Sequence, residues 1–105
     1  MKTKINNYFK YWNQRNLKSL SDLFHIDVTL EDWTLFAKGI DDVLQANVKI
    51  FTSHPEIKAK LLNLSQTGNN FYCELLIDTG EDKIKVIDVF ELKDGKIVKI
   101  TAFKI

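Results

Sequence analysis

Asp88 stands on a strand face that should be dry. In the segment Lys83-Ile84-Lys85-Val86-Ile87-Asp88-Val89-Phe90-Glu91-Leu92-Lys93, the even positions are Ile84, Val86, Asp88, Phe90 and Leu92. Alternate strand residues share a face, so this carboxyl keeps company with four large apolar groups. Asp32 repeats the arrangement: Ile26, Val28 and Leu30 set an apolar parity that Asp32 ends. A carboxylate on such a face either ionises at a high free-energy cost or keeps its proton, and a protonated carboxyl donates a hydrogen bond near neutral pH. Both aspartates are therefore candidates for chemistry rather than packing.

The elements that must position them read in two halves. Ile5, Tyr8, Phe9 and Trp12 recur at helical spacing and give a first helix an apolar, aromatic face. Asn13-Gln14-Arg15-Asn16 interrupts it, and Asn16 is a suitable N-cap for a shorter helix presenting Leu17, Leu20, Leu23 and Phe24. A strand is expected over residues 26 to 33, then a loop from Thr34 to Lys38. Gly39 opens a third helix with Asp41 and Asp42 in its first turn, where the helix dipole favours negative charge. Its buried stripe is expected to be Ile40, Val43, Leu44, Val48 and Phe51, and Ser53-His54-Pro55 ends it. The second half predicts strands over 57–65, 70–78, 83–93 and 96–104. Asp94-Gly95 between the last two is a strong hairpin signal.

Helices first and consecutive hairpins later define an α+β class: a curved antiparallel sheet packed against the N-terminal helices. A bent sheet closed by helices makes a cone, a cystatin-like roll whose internal pocket suits a small molecule. The 105 residues suffice for one domain, 1–105, with one core. A net charge of +1 with interspersed signs leaves no basic footprint for nucleic acid. The opening residues carry no apolar run of signal-peptide or membrane-spanning length, so a cytoplasmic protein without membrane contact is expected. Cys73 is alone and cannot form an internal disulfide; it reads as a small buried hydrophobe on the parity of Phe71, Leu75 and Ile77. His25 and His54 lack paired ligand spacing, so neither a metal nor a cofactor is expected. His54 and Asp94 are assigned to helix termination and to a turn.

Several segments together resemble the nuclear transport factor two-like superfamily, in its SnoaL-like and ketosteroid isomerase-like branch. They are Tyr8-Phe9-Lys10-Tyr11-Trp12-Asn13 with Asn16-Leu17, Leu23-Phe24, Val28-Thr29-Leu30-Glu31-Asp32, Gly39-Ile40, His54-Pro55, and Ile87 to Val98. The resemblance spans nearly the whole chain and implies three site residues. Asp32 matches the isomerases' general base, which moves a proton between two carbons. Tyr8 matches the first-helix tyrosine of the oxyanion hole, and Asp88 matches the second donor, a carboxylic acid kept neutral by its apolar site. Trp33 departs from the pattern, standing where the isomerases carry proline; the loop is expected to turn differently and the indole to narrow the mouth. The chain also stops at Ile105, which removes residues expected to help wall a steroid-sized cavity.

Plainer roles stand beside these. Asp88 fits a structural carboxylate paired to a helix, Asp32 a solvated strand end, and Tyr8 a core aromatic. The other face of the 83–93 strand reads Lys83, Lys85, Ile87, Val89, Glu91, Lys93, apolar in the middle and charged at the ends. That pattern fits a homodimer interface across the sheet. Three functions follow as expectations: a proton-transfer isomerase or cyclase-like enzyme, a non-catalytic binder of a small hydrophobic ligand, or an interaction domain whose cone is filled by side chains.

Overall fold

Ile5, Tyr8, Phe9 and Trp12 are all buried in the computed structural model, which describes residues 2 to 105. They line one side of helix α1 (Lys2–Asn13) and press it onto a sheet. Helix α2 (Leu17–Leu23) begins as expected at Asn16, whose side chain accepts from the Ser19 N–H at 3.1 Å. Strand β1 (Phe24–Glu31) and the three-residue β2 (Phe36–Lys38) precede helix α3 (Ile40–Ser53). Strands β3 (Lys58–Thr67), β4 (Asn70–Asp78), β5 (Lys83–Lys93) and β6 (Lys96–Lys104) complete the chain. The β5–β6 turn uses Asp94 and Gly95 at φ 53° and 73°, the left-handed pair that a two-residue hairpin requires.

The α+β architecture stands, with one correction. The six strands lie in the order β2-β1-β6-β5-β4-β3, and β1 runs parallel to β6 while every other neighbour pair is antiparallel. The sheet is therefore mixed rather than antiparallel throughout. No hairpin joins β1 to β6, because α3 and four strands intervene, so turn chemistry does not dictate their relative direction.

Two further expectations fail at β1. Its register jumps between Phe24 and Thr29, and the irregularity turns Ile26 outward to 77% exposure while Val28 and Leu30 stay buried. Strict alternation cannot survive an inserted residue. The strand β2 lies inside what reads as a loop, since three residues are too few for a periodic signal. Similar register shifts at Leu61/Asn63 and Glu91/Leu92 bend the sheet around α1.

Asn13 anchors the helix to the sheet edge. Its Nδ2 donates to the Ala59 carbonyl at 2.9 Å and its Oδ1 accepts from the Ala59 N–H at 2.8 Å, so the side chain satisfies both backbone groups of an edge residue. Arg15 donates to the Pro55 carbonyl at 2.9 Å and stacks on Phe51, holding the α1–α2 turn against the end of α3. We expect Asn13→Ala to cost about 1–2 kcal/mol, because two groups lose their partners at once. Urea unfolding measures this, and an unchanged midpoint would remove the anchoring role.

Candidate active site

The inward row of β5 changes character along its length. Leu92 and Phe90 are buried under α1, with Phe90 meeting Tyr8 and Phe9 edge-on at centroid distances of 5.0 and 5.7 Å. Farther along, Asp88, Val86 and Ile84 line a cavity of about 330 Å3. The cone is thus hollow rather than filled by side chains. Tyr8, Phe9 and Trp12 form its helical wall, Leu30, Ile100 and Ala102 part of its sheet floor, and Asp32, Trp33, Thr34 and His54 also border it.

All three residues singled out in the sequence, Tyr8, Asp32 and Asp88, border this one cavity. Asp88 pairs across the ladder with Cys73 and Ala102 and points inward with them. It is half-buried, and the surface it retains faces the cavity. Among the described residues no group hydrogen-bonds its carboxyl. Burial, reinforced by the negative charge of Asp32, pushes its pKa up to about 7, because a desolvated carboxylate beside a like charge is disfavoured. The proton is thus held far above the ordinary carboxylate range, the direction its apolar neighbours imply.

Tyr8 is buried, and its phenol is driven well above the ordinary range by burial, then by Asp88 and Cys73. It remains a hydrogen-bond donor at any physiological pH. Cys73 is sealed, as its parity requires, and its thiol is pushed up to about 12 by burial and then by Asp88. A thiol so protonated is not a nucleophile.

Asp32 reaches the cavity by a different route from the one its strand parity suggests. The strand β1 ends at Glu31, and Asp32 opens a tight turn. Its Oδ1 accepts from the Thr34 N–H at 2.7 Å, the Leu35 N–H at 2.9 Å and the Thr34 hydroxyl at 2.9 Å, while its own N–H donates to the Leu35 carbonyl at 3.0 Å. One oxygen builds the loop, and Oδ2 has no partner among the described residues. Trp33 is 48% exposed and lies in the cavity wall, so the indole takes part in shaping the site. His54 ends α3 through its backbone N–H, which donates to the Ile50 carbonyl at 2.9 Å, in line with its expected terminating role; it also borders the cavity.

Asn47 and Thr34 escaped the sequence reading. Asn47 is 2% exposed on the inner face of α3, accepts from Trp12 Nε1 at 3.1 Å and donates to the Val43 carbonyl at 3.1 Å. Its signal was present: position 47 follows Val43 by four residues, so a polar group sits on the apolar stripe just as Asp88 does. Thr34 had no such signal, because its role arises from the turn around Asp32.

Folding raises the Asp88 pKa from an ordinary 3.8 to about 7, so the native state binds more protons than the unfolded chain between those values. Stability therefore falls as pH rises from about 4 to about 7, then levels off. Three pKa units correspond to roughly 4 kcal/mol, an upper bound because water in the cavity solvates part of the carboxylate. We expect Asp88→Asn to remove most of this decline. Urea unfolding of both chains at pH 4.5 and pH 8 tests it, and equal declines would show that Asp88 is already solvated.

Comparison with known proteins follows the geometry. The SnoaL-like domain family matches residues 5–100. A candidate polyketide cyclase from Sinorhizobium meliloti superposes with a TM-score of 0.89 at 20% identity, over 95% of this chain and 93% of that one. A candidate ketosteroid isomerase from Kribbella flavida gives 0.87 at 20% identity, over 98% and 76%. A candidate isomerase of the SnoaL-like family from Agrobacterium tumefaciens gives 0.87 at 16% identity, over 98% and 95%. No curated protein matches the sequence. At these identities the structural likeness speaks for the fold alone. With the family match extending from the first helix into the last strand, the chain belongs to the SnoaL-like domain family.

Proposed function

We propose that the cavity binds a small, largely apolar carbonyl compound and that Asp32 shifts a proton beside its carbonyl. The observation that carries this reading is the Asp88 carboxyl, which has no partner among the described residues and faces an apolar hollow also bordered by Tyr8. Two donors on one wall suit an oxygen that gains negative charge. Asp32 Oδ2 accepts the α-proton, and the C–H electron pair moves onto the oxygen facing Tyr8 and protonated Asp88. Return of the proton to another carbon completes an isomerisation with no other reactant. A volume of about 330 Å3 lies near the small end of ligand cavities and favours a compact substrate. The isomerase and cyclase assignments of the structural neighbours are consistent with this reading.

Ligand binding without chemistry is the second reading, favoured by the structural use of Asp32 Oδ1 in its turn. Asp32→Asn separates the two, since an asparagine oxygen still accepts from the Thr34 and Leu35 N–H groups while its amide cannot take a proton. With cyclohex-3-enone and related β,γ-unsaturated ketones as probes, we expect Asp32→Asn to lower the rate of conjugated-enone formation about 100-fold or more with little change in binding. Equal rates in both chains would eliminate Asp32 as the base.

We also propose that the protein works as a homodimer through the outer sheet face. Phe103 is 54% exposed and pairs with Ile87, while Tyr72, 41% exposed, pairs with Val89. Around them lie both signs of charge, Lys85 and Lys99 with Glu74 and Glu91, the mixture a self-complementary two-fold contact uses. Phe103→Glu is expected to give a monomer by light scattering at micromolar concentration; a wild-type monomer under the same conditions would refute the interface.

A further inference from the structure

The charge on the cavity wall is one-sided. Fifteen Lys and Arg residues occur in the chain, and among the described residues none of them borders the cavity; the carboxylates Asp32 and Asp88 do, with His54 the one nitrogen base among the described lining residues. The rings of Tyr8, Phe9, Trp12 and Trp33 stand in the same wall. We propose that the cavity is also a binding site for a small alkylammonium ion, held by Asp88 and Asp32 against these aromatic rings.

The inference rests on the cavity being the ligand site proposed above and adds a ligand class. Among the described residues an ionised Asp88 has no ion pair and no hydrogen bond to its carboxyl, and an alkylammonium ion supplies the counter-charge. Aromatic faces attract such ions, more strongly when water is excluded. A quaternary ammonium also brings no N–H groups that would need acceptors in an apolar hollow. With Asp88 ionised, an anion is repelled by its charge, and a neutral ligand gains no charge attraction.

The direction of pH dependence distinguishes the two ligand classes. A carbonyl oxygen uses Asp88 as a donor and favours its protonated form; an alkylammonium ion favours the ionised form and releases the proton. The titratable groups around Asp88 are Tyr8 from α1, Cys73 from β4 and Asp32 after β1, with His54 on the same cavity wall; β6 contributes Ile100 and Ala102. Tyr8 and Cys73 keep their protons below pH 9. Imidazoles change charge near neutrality, so His54→Gln is the control.

Three probes of nearly one shape test the proposal on the full chain by NMR titration: choline, its neutral isostere 3,3-dimethylbutan-1-ol, and the anion 3,3-dimethylbutyrate. At pH 8, choline is expected to bind at least about tenfold tighter than the alcohol, with no binding of the butyrate. Choline affinity is expected to fall about tenfold from pH 8 to pH 6, as the ionised fraction of Asp88 drops from about nine-tenths to about one-tenth, while the alcohol stays constant. Asp88→Asn should abolish both the preference and the pH dependence, and His54→Gln should preserve the fall. Equal affinities for choline and the alcohol, or binding of the alcohol alone, overturn the cation site and leave the proton-transfer reading standing. Binding of none of the three overturns it together with the open cavity. Choline binding with no effect of Asp32→Asn on enone formation leaves the cation site intact and removes the catalytic reading.

Discussion

Tyr8 and Phe9 both meet Phe90 edge-on, and where that contact falls decides what the rest of the inner sheet face can do. The helix α1 is 12 residues long, and Tyr8 and Phe9 of its aromatic stripe pack on Phe90. It does not fill the space above Asp88, Val86 and Ile84, which face the hollow. Register shifts curve the sheet, and the space between a curved sheet and a straight helix varies with distance from their contact. A filled core at one end and an open cavity at the other follow from one packing arrangement.

That arrangement gives the three candidate groups different surroundings. Asp88 is surrounded by apolar side chains and by no donor of the chain, so its proton is held to near neutrality. Tyr8 is fixed on both sides by rings, with its neighbours Phe9 and Phe90 at 5.2 and 5.0 Å, which orients the phenol without using its hydroxyl. Asp32 sits in a turn where one oxygen is saturated by backbone and hydroxyl donors and the other is spare. The proposed acid–base reading rests on this difference between the two carboxyls. A buried carboxyl lacking a partner also weakens the folded state above its pKa, a cost typical of functional sites.

Much of the scaffold was legible in the residues. Strands β4, β5 and β6 begin and end where alternation and turn residues place them, and the buried face of α1 is the one its helical spacing picks out. Asn16 and Asp94-Gly95 act at the positions their side-chain chemistry suits. The failures share a cause. Ile26 faces solvent because inserted residues break alternation. The short β2 and the parallel β1–β6 pairing come from contacts between segments far apart in the chain, which leave no local periodicity.

The candidate site divides in the same way. Periodicity reports the direction of a side chain, and by itself it determined that Asp88 and Tyr8 look inward, since each direction follows from its own strand or helix. Whether an inward residue meets another side chain or a void depends on how far the covering element stands from it, and that distance is set by the bend of the sheet and the seat of α1. Only the tertiary structure could decide that Asp88 borders a hollow while Phe90, two residues on, is sealed. The turn that brings Asp32 to the same hollow was decided there too, because its direction depends on where β1 ends and the chain reverses into β2.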